Sequence, residues 1–93
     1  MTEPGTEWRV EFSSAAVRSL DRLPEKVAAA VVEFTTGTLP TNPHRLSQQL
    51  QAELAGWRVA RRGSYRVTFQ ILDQDRVLLV GRIDHRADIY RRR

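Results

Sequence analysis

Four residues of the sequence combine the groups that phosphate chemistry needs without a metal ion. They are Arg66, His85, Arg86 and Tyr90. A guanidinium group binds phosphate through paired N–H donors, but it is too basic to accept a proton at neutral pH. The proton must therefore go to a histidine, which ordinarily titrates at about pH 6.5, or to a tyrosine whose pKa is lowered by neighbouring cations. His85 and Tyr90 both remain candidates for this general base.

RNA is the substrate that suits this set of residues. It carries its own nucleophile, the 2′-hydroxyl group, which DNA lacks. An enzyme can cleave it by removing that proton, stabilising the charge on the reacting phosphate and protonating the leaving oxygen. The four residues therefore predict a metal-independent RNA endonuclease in which all four are catalytic.

Positive charge is concentrated in the second part of the chain. Residues 1–56 contain five Lys or Arg and seven Asp or Glu, whereas residues 57–93 contain ten Arg and four Asp. A cationic half on a small domain favours an anionic partner, of which nucleic acid is the commonest. We expect further arginines to bind the RNA backbone, namely Arg58, Arg61, Arg62, Arg91 and Arg92.

The composition argues against a metal site, a cofactor and a membrane. The chain has no cysteine, no His/Asp/Glu set at ligand spacing, and five glycines scattered singly rather than in a phosphate-binding loop. No apolar run approaches the roughly 20 residues that span a bilayer. Residues 1–7 lack the pattern of a signal peptide, and we expect them to be a flexible extension of a cytoplasmic protein.

The hydrophobic pattern predicts one strand, two helices and three further strands. Residues 8–12 alternate apolar and charged, as in a strand with one buried face. Two stretches with helical periodicity follow, separated by Pro24, and Gly37 is a natural end for the second helix. Residues 44–56 are ambiguous and suggest one or two amphipathic turns. Strand-like patterns then occupy residues 57–62, 65–72 and 76–83.

These elements predict an α+β domain over residues 8–93 with the order βααβββ. The two helices form a hairpin that packs on one face of a twisted antiparallel sheet, and a short C-terminal tail follows. The apolar residues of 65–72 then face the helices, while Arg66 and its even-numbered neighbours face away, beside Arg58. That open cationic face is the candidate site, and with its apolar flanks it suits an amphipathic acidic partner segment.

Two motifs give the sequence a family resemblance. They are RRGSYRV at residues 61–67 and DHRADIY at residues 84–90, supported by Leu23-Pro24 and by the stretch at residues 42–46. With the order βααβββ, they resemble RelE-type toxins of the RelE/ParE superfamily. The resemblance extends over nearly the whole chain from Trp8 onward.

The resemblance implies a bacterial type II toxin that cleaves mRNA in the ribosomal A site and so inhibits translation. A cognate antitoxin neutralises such a toxin, and the pair usually binds its own promoter DNA. Arg66 and Tyr90 match the family's arginine and C-terminal tyrosine, and His85-Arg86 matches the histidine-arginine pair of many members. Arg58 stands where the best-studied type has lysine, and Arg61 neighbours a second basic position.

Two other functions remain open on the same fold. One is a ParE-like inhibitor of DNA gyrase that does not cut RNA, although such members generally lack this set of arginines and the terminal tyrosine. The other is a non-catalytic regulatory subunit that binds an antitoxin and DNA.

Overall fold

Two helices pack against one face of a five-stranded mixed sheet. The computed structural model describes residues 8–85. The strands follow the order β1-β5-β4-β3-β2 across the sheet. The elements are β1 (Arg9–Phe12), α1 (Ser14–Arg22), α2 (Glu25–Glu33), β2 (Gln48–Gln49), β3 (Arg58–Arg62), β4 (Tyr65–Leu72) and β5 (Val77–His85).

The predicted class and the order βααβββ are confirmed, with two differences in the sheet. β1 runs parallel to β5, in a register that pairs Arg9 with Val77 and Phe12 with Val80, so the sheet is not wholly antiparallel. The alternation in residues 8–12 predicts a strand, but it carries no information about the direction of its partner. The second difference is β2, a two-residue strand that pairs with β3 where the sequence was ambiguous.

The helices end close to the predicted signals. Leu23 and Pro24 separate α1 from α2, because proline cannot continue a helix. The second helix does not stop sharply at Gly37, since α2 widens into a π-helical turn over Phe34–Thr38 and a short 3-10 turn over Leu39–Thr41. In the described part of the chain, no helix has the length and apolar content needed to cross a membrane.

Ser13 joins the start of α1 to the sheet. Its side-chain oxygen accepts a hydrogen bond from the backbone N–H of Ala16 at 3.1 Å and donates one to the carbonyl of Gly81 at 2.9 Å. Its own backbone N–H donates to the carbonyl of Val80 at 2.8 Å. One residue therefore caps the helix and fixes its distance from β5.

The core lies between the helices and the two central strands. Val67 and Phe69 of β4, Leu78 and Val80 of β5, and Val31 of α2 have no exposed surface. The apolar positions of β4 alternate with polar ones, and only the first set faces the helices. Burial of this face is what fixes the register of the sheet.

A bulge interrupts the pairing of β4 with β5. Thr68 pairs with Arg82, while the next residue, Phe69, pairs with Val80. Gly81 is therefore an extra residue in β5, and a bulge of this kind bends the strand and increases its local twist.

The double role of Ser13 makes its removal measurable. We expect Ser13→Ala to lower the free energy of unfolding by about 1–2 kcal/mol, because a helix cap and a bond to the Gly81 carbonyl are lost together. Urea denaturation measures this change. Ser19→Ala is the matched control, because the Ser19 hydroxyl only bonds back to the Ala15 carbonyl within α1. A loss in Ser13→Ala no larger than in the control would contradict the assigned role.

Candidate nucleic-acid interface

Two arginines lie directly opposite each other on the sheet face that is turned away from the helices. Arg61 of β3 pairs with Arg66 of β4, and Arg66 pairs in turn with Asp84 of β5. Paired residues of neighbouring strands point to the same face, so these three form a row across the sheet. We call the surface that carries this row the open face.

Like charges placed directly opposite each other destabilise a sheet. The carboxylate of Asp84 offsets part of that repulsion, but it also forms an ion pair with Nε of Arg82 at 3.3 Å. Arg82 lies on the same face, opposite Thr68. Three arginines and one aspartate thus share this part of the open face, which leaves net positive charge suited to a phosphate.

A groove extends the open face toward β2. It encloses about 330 Å³, and its walls include two arginines, one on β3 and one on the loop before β2. The lining residues are Arg45, Leu46, Ser47, Gln48, Val59 and Arg61. Arg45 was not among the residues predicted from the sequence, because its spacing in a turn-rich segment gives no signal of its position beside β3.

Arg58 lies on the other face of the sheet, so its predicted place beside Arg66 is wrong. It pairs with Phe69, whose side chain packs in the core under the helices. Its Nε donates to Oγ of Ser47 at 2.7 Å, and its Nη2 donates to the carbonyls of His44 at 3.0 Å and Ser47 at 3.3 Å. Arg58 therefore fastens the loop before β2, while its predicted contact with RNA stays a prediction.

Arg62 also belongs to the helix side of the sheet. It pairs with Tyr65, and its guanidinium carbon lies 5.3 Å from the centre of the Phe34 ring. The hydroxyl of Tyr65 is directed at the carbonyl of Ala30 at 3.4 Å. Burial raises the pKa of Tyr65, and the nearby charge of Arg62 lowers it in part. The cluster joins β3 and β4 to the helices and is separate from the row on the open face.

His85 is held at the turn between β3 and β4. Its Nε2 lies 3.2 Å from Oγ of Ser64, although the two residues are 21 positions apart in sequence. His85 pairs with Tyr65, and the adjacent pair is Arg66 with Asp84. The imidazole and the Arg66 guanidinium thus start from neighbouring positions at one end of the sheet, on opposite faces. The sequence predicted both residues, but it gave no indication of the Ser64 contact.

Several predicted residues lie outside the part of the chain that the structure describes. Arg86, Tyr90, Arg91 and Arg92 are among residues 86–93, and the predicted flexible extension is residues 1–7. Their predicted roles therefore stay predictions.

Comparison with known proteins identifies the family. Residues 10–90 match the family model described as the ParE toxin of the type II toxin–antitoxin system parDE. This chain belongs to the RelE/ParE superfamily of type II toxins. The predicted resemblance is confirmed, and it extends across β1 to β5 rather than resting on the two motifs alone.

Relatives of this RelE/ParE toxin are similar along nearly their whole length. Toxin RelG of Mycobacterium tuberculosis is 47% identical over 85 residues, which cover 91% of this chain and 98% of the relative. Toxin RelE of the same organism is 45% identical over 84 residues, with 90% and 87% covered. The crystal structure of the M. tuberculosis toxin–antitoxin complex RelBE2 contains a chain that matches with a TM-score of 0.84 and 44% identity, covering 87% of this chain and 93% of that one.

The different surroundings of Arg58 and Arg61 predict different effects of their replacement on the stability of the toxin. Arg58→Gln is expected to lower the free energy of unfolding by about 1–3 kcal/mol, because charge-assisted bonds to the 44–47 loop are lost. Arg61→Gln removes an exposed charge opposite Arg66, so stability should stay within about 0.5 kcal/mol of the parent or rise slightly. Thermal or urea unfolding of the two variants compares them directly. Equal losses would contradict the assignment of the two arginines to different faces.

Proposed function

We propose that this toxin is a ribosome-dependent, metal-independent endonuclease that cleaves mRNA in the ribosomal A site. The observation that carries the proposal is the row of Arg61 and Arg66 on the open face. Two guanidinium groups placed opposite each other are unfavourable for folding and favourable for binding a phosphate. The same pair stabilises the additional negative charge that develops when the 2′-hydroxyl attacks that phosphate.

The proton transfers are assigned to the end of β5 and to the segment that follows it. His85 begins on the face opposite to Arg66, at the end of the sheet, and its contact with Ser64 at the adjoining turn supports a role for its imidazole at that end. Tyr90 is the other candidate for the general base, and Arg86 is a further cation proposed to stabilise the reacting phosphate. The attacking hydroxyl loses its proton to one base, and the leaving 5′ oxygen gains one from an acid, so the phosphodiester breaks without water entering this step.

The similarity to known toxins supports a toxin function. The relatives at 47% and 45% identity are named RelG and RelE, which are names of toxins. The similar chain of RelBE2 was crystallised in a toxin–antitoxin complex. We therefore also propose that a cognate antitoxin neutralises this protein in the cytoplasm and that the pair binds its promoter DNA.

A gyrase inhibitor is the second candidate. The family model that matches residues 10–90 carries the ParE name, and this observation favours it. Inhibition of gyrase does not require a phosphate site on the open face or a general base at His85. The arginine row therefore favours RNA cleavage, and a supercoiling assay with purified gyrase separates the two functions.

The direct test compares Arg66 with an arginine far from the open face. Purified toxin is added to ribosomes programmed with a defined mRNA, and the RNA ends are mapped. We expect cleavage in the A-site codon, and Arg66→Gln should slow it by about 10²-fold or more because a donor to the reacting phosphate is lost. Arg18→Gln is the matched control, since Arg18 is exposed on α1. His85→Gln in the same assay separates the two bases: a large loss assigns the proton transfer to His85, and an unchanged rate assigns it to Tyr90.

Two results would contradict the proposed reaction. One is the absence of ribosome-dependent cleavage by a toxin that arrests growth when it is expressed. The other is full activity of Arg66→Gln, because the phosphate site would then lie elsewhere.

A further inference from the structure

The outer edge of the Trp57 indole ring lies against Gly81. A Cβ atom added at Gly81 would come within 2.5 Å of Cζ3 and 2.7 Å of Cη2 of that ring. Contacts this short are not tolerated, so a side chain at position 81 would displace the indole. The glycine in the bulge of β5 therefore creates the space that the ring occupies.

The strand register places this ring on the open face. Arg58 pairs with Phe69 on the helix side, so the preceding residue, Trp57, points to the opposite side of the sheet. Gly81 lies in β5, two strands away, between Val80 and Arg82. The indole thus extends from the start of β3 across β4 to β5, on the same surface as Arg61 and Arg66.

The Cζ3–Cη2 edge of the indole abuts Gly81, and the residue as a whole is only half-buried. Arg82 is next to Gly81. The row of Arg61, Arg66 and Asp84 lies farther along the strands: Asp84 is three residues beyond Gly81 in β5, or about 10 Å at a rise of about 3.3 Å per residue. An aromatic side chain on a sheet surface beside phosphate-binding arginines is the arrangement with which proteins bind single-stranded RNA. Stacking holds the base, and the arginines hold the backbone.

We propose that Trp57 is a stacking platform for a nucleobase of the RNA bound on the open face. It forms a subsite next to the phosphate site at Arg61 and Arg66. Gly81 has no side chain and therefore leaves the space that the indole needs. This inference rests on the proposed endonuclease function and adds a contact by which the substrate is positioned. The arginines of the surrounding surface can bind phosphate and the indole can stack on a base, and this combination favours RNA as the occupant.

A purely structural role for Trp57 makes different predictions. Val59 and Val77 also point to the open face, yet they are only 6% and 4% exposed, so other groups of the protein cover them. If the indole only shielded apolar side chains of the open face from water, leucine could replace it, because leucine is apolar but cannot stack on a base. The Trp57→Leu variant therefore distinguishes a shielding role from a stacking role, and the Trp57→Phe variant retains a smaller aromatic ring.

Tryptophan fluorescence tests the platform without requiring cleavage. The chain has two tryptophans, so Trp8→Phe leaves Trp57 as the single emitter. We expect a short oligoadenylate to quench that emission, and the anisotropy of a labelled copy to report binding over the same concentration range. Trp57→Leu should weaken binding about 10-fold, Trp57→Phe should weaken it less, and Gly81→Ala should reduce the quenching because it moves the indole. Circular dichroism and thermal unfolding verify that each variant is folded.

Several outcomes would overturn the platform. Binding without quenching would place the RNA elsewhere, and the absence of any RNA binding would remove the occupant. Equal affinity of a folded Trp57→Leu variant would leave only the structural role. If Trp57→Leu weakened the binding of an antitoxin peptide but not of RNA, the surface would belong to a protein partner.

These outcomes are independent of the cleavage assay. Quenching by RNA together with no A-site cleavage would contradict the proposed reaction and leave the stacking contact intact. Cleavage at the same rate by the parent and by Trp57→Leu, together with no quenching, would contradict the platform and leave the reaction intact.

Discussion

The alternation of side chains along β4 is the constraint on which the rest of the structure depends. This strand lies between β3 and β5, and its apolar residues Val67 and Phe69 are completely buried under the helices. Because successive side chains point to opposite faces, burying these two forces Arg66 and Thr68 onto the open face. A slip of one residue would expose the core residues and bury an arginine, so the packing energy of the core also determines where the charge lies.

That constraint explains how the fold accommodates an unfavourable arrangement of charge. Arg61 and Arg66 are brought side by side because their neighbours in each strand are needed in the core. Asp84, which also pairs with Arg82, compensates only part of the repulsion. An unfavourable local interaction that the rest of the fold maintains is common at binding sites. The open face thus carries its positive charge before any partner arrives, which would lower the cost of assembling the proposed phosphate site.

The sequence predicted the elements well and their contacts poorly. Periodicity identified β3 and β4 within one residue at either end, and it predicted Arg66 on the face away from the helices. It did not predict the side of Arg58, the Ser64–His85 contact or the packing of Trp57 on Gly81, because each depends on the register between strands. The hydrophobic pattern of a strand can be recognised from that segment alone, whereas the register depends on how two segments pair.

The most direct measurement of the central claim uses a modified mRNA. A single 2′-deoxynucleotide is placed at the position that supplies the attacking hydroxyl in the A-site codon, and the ribosomes, codon and toxin are otherwise unchanged. The account predicts that cleavage at that bond stops while the unmodified mRNA is cut to products with a 2′,3′-cyclic phosphate, because the only nucleophile has been removed. Cleavage of the deoxy-substituted bond at the normal rate would contradict it, since water or a protein side chain would then have to attack the phosphate.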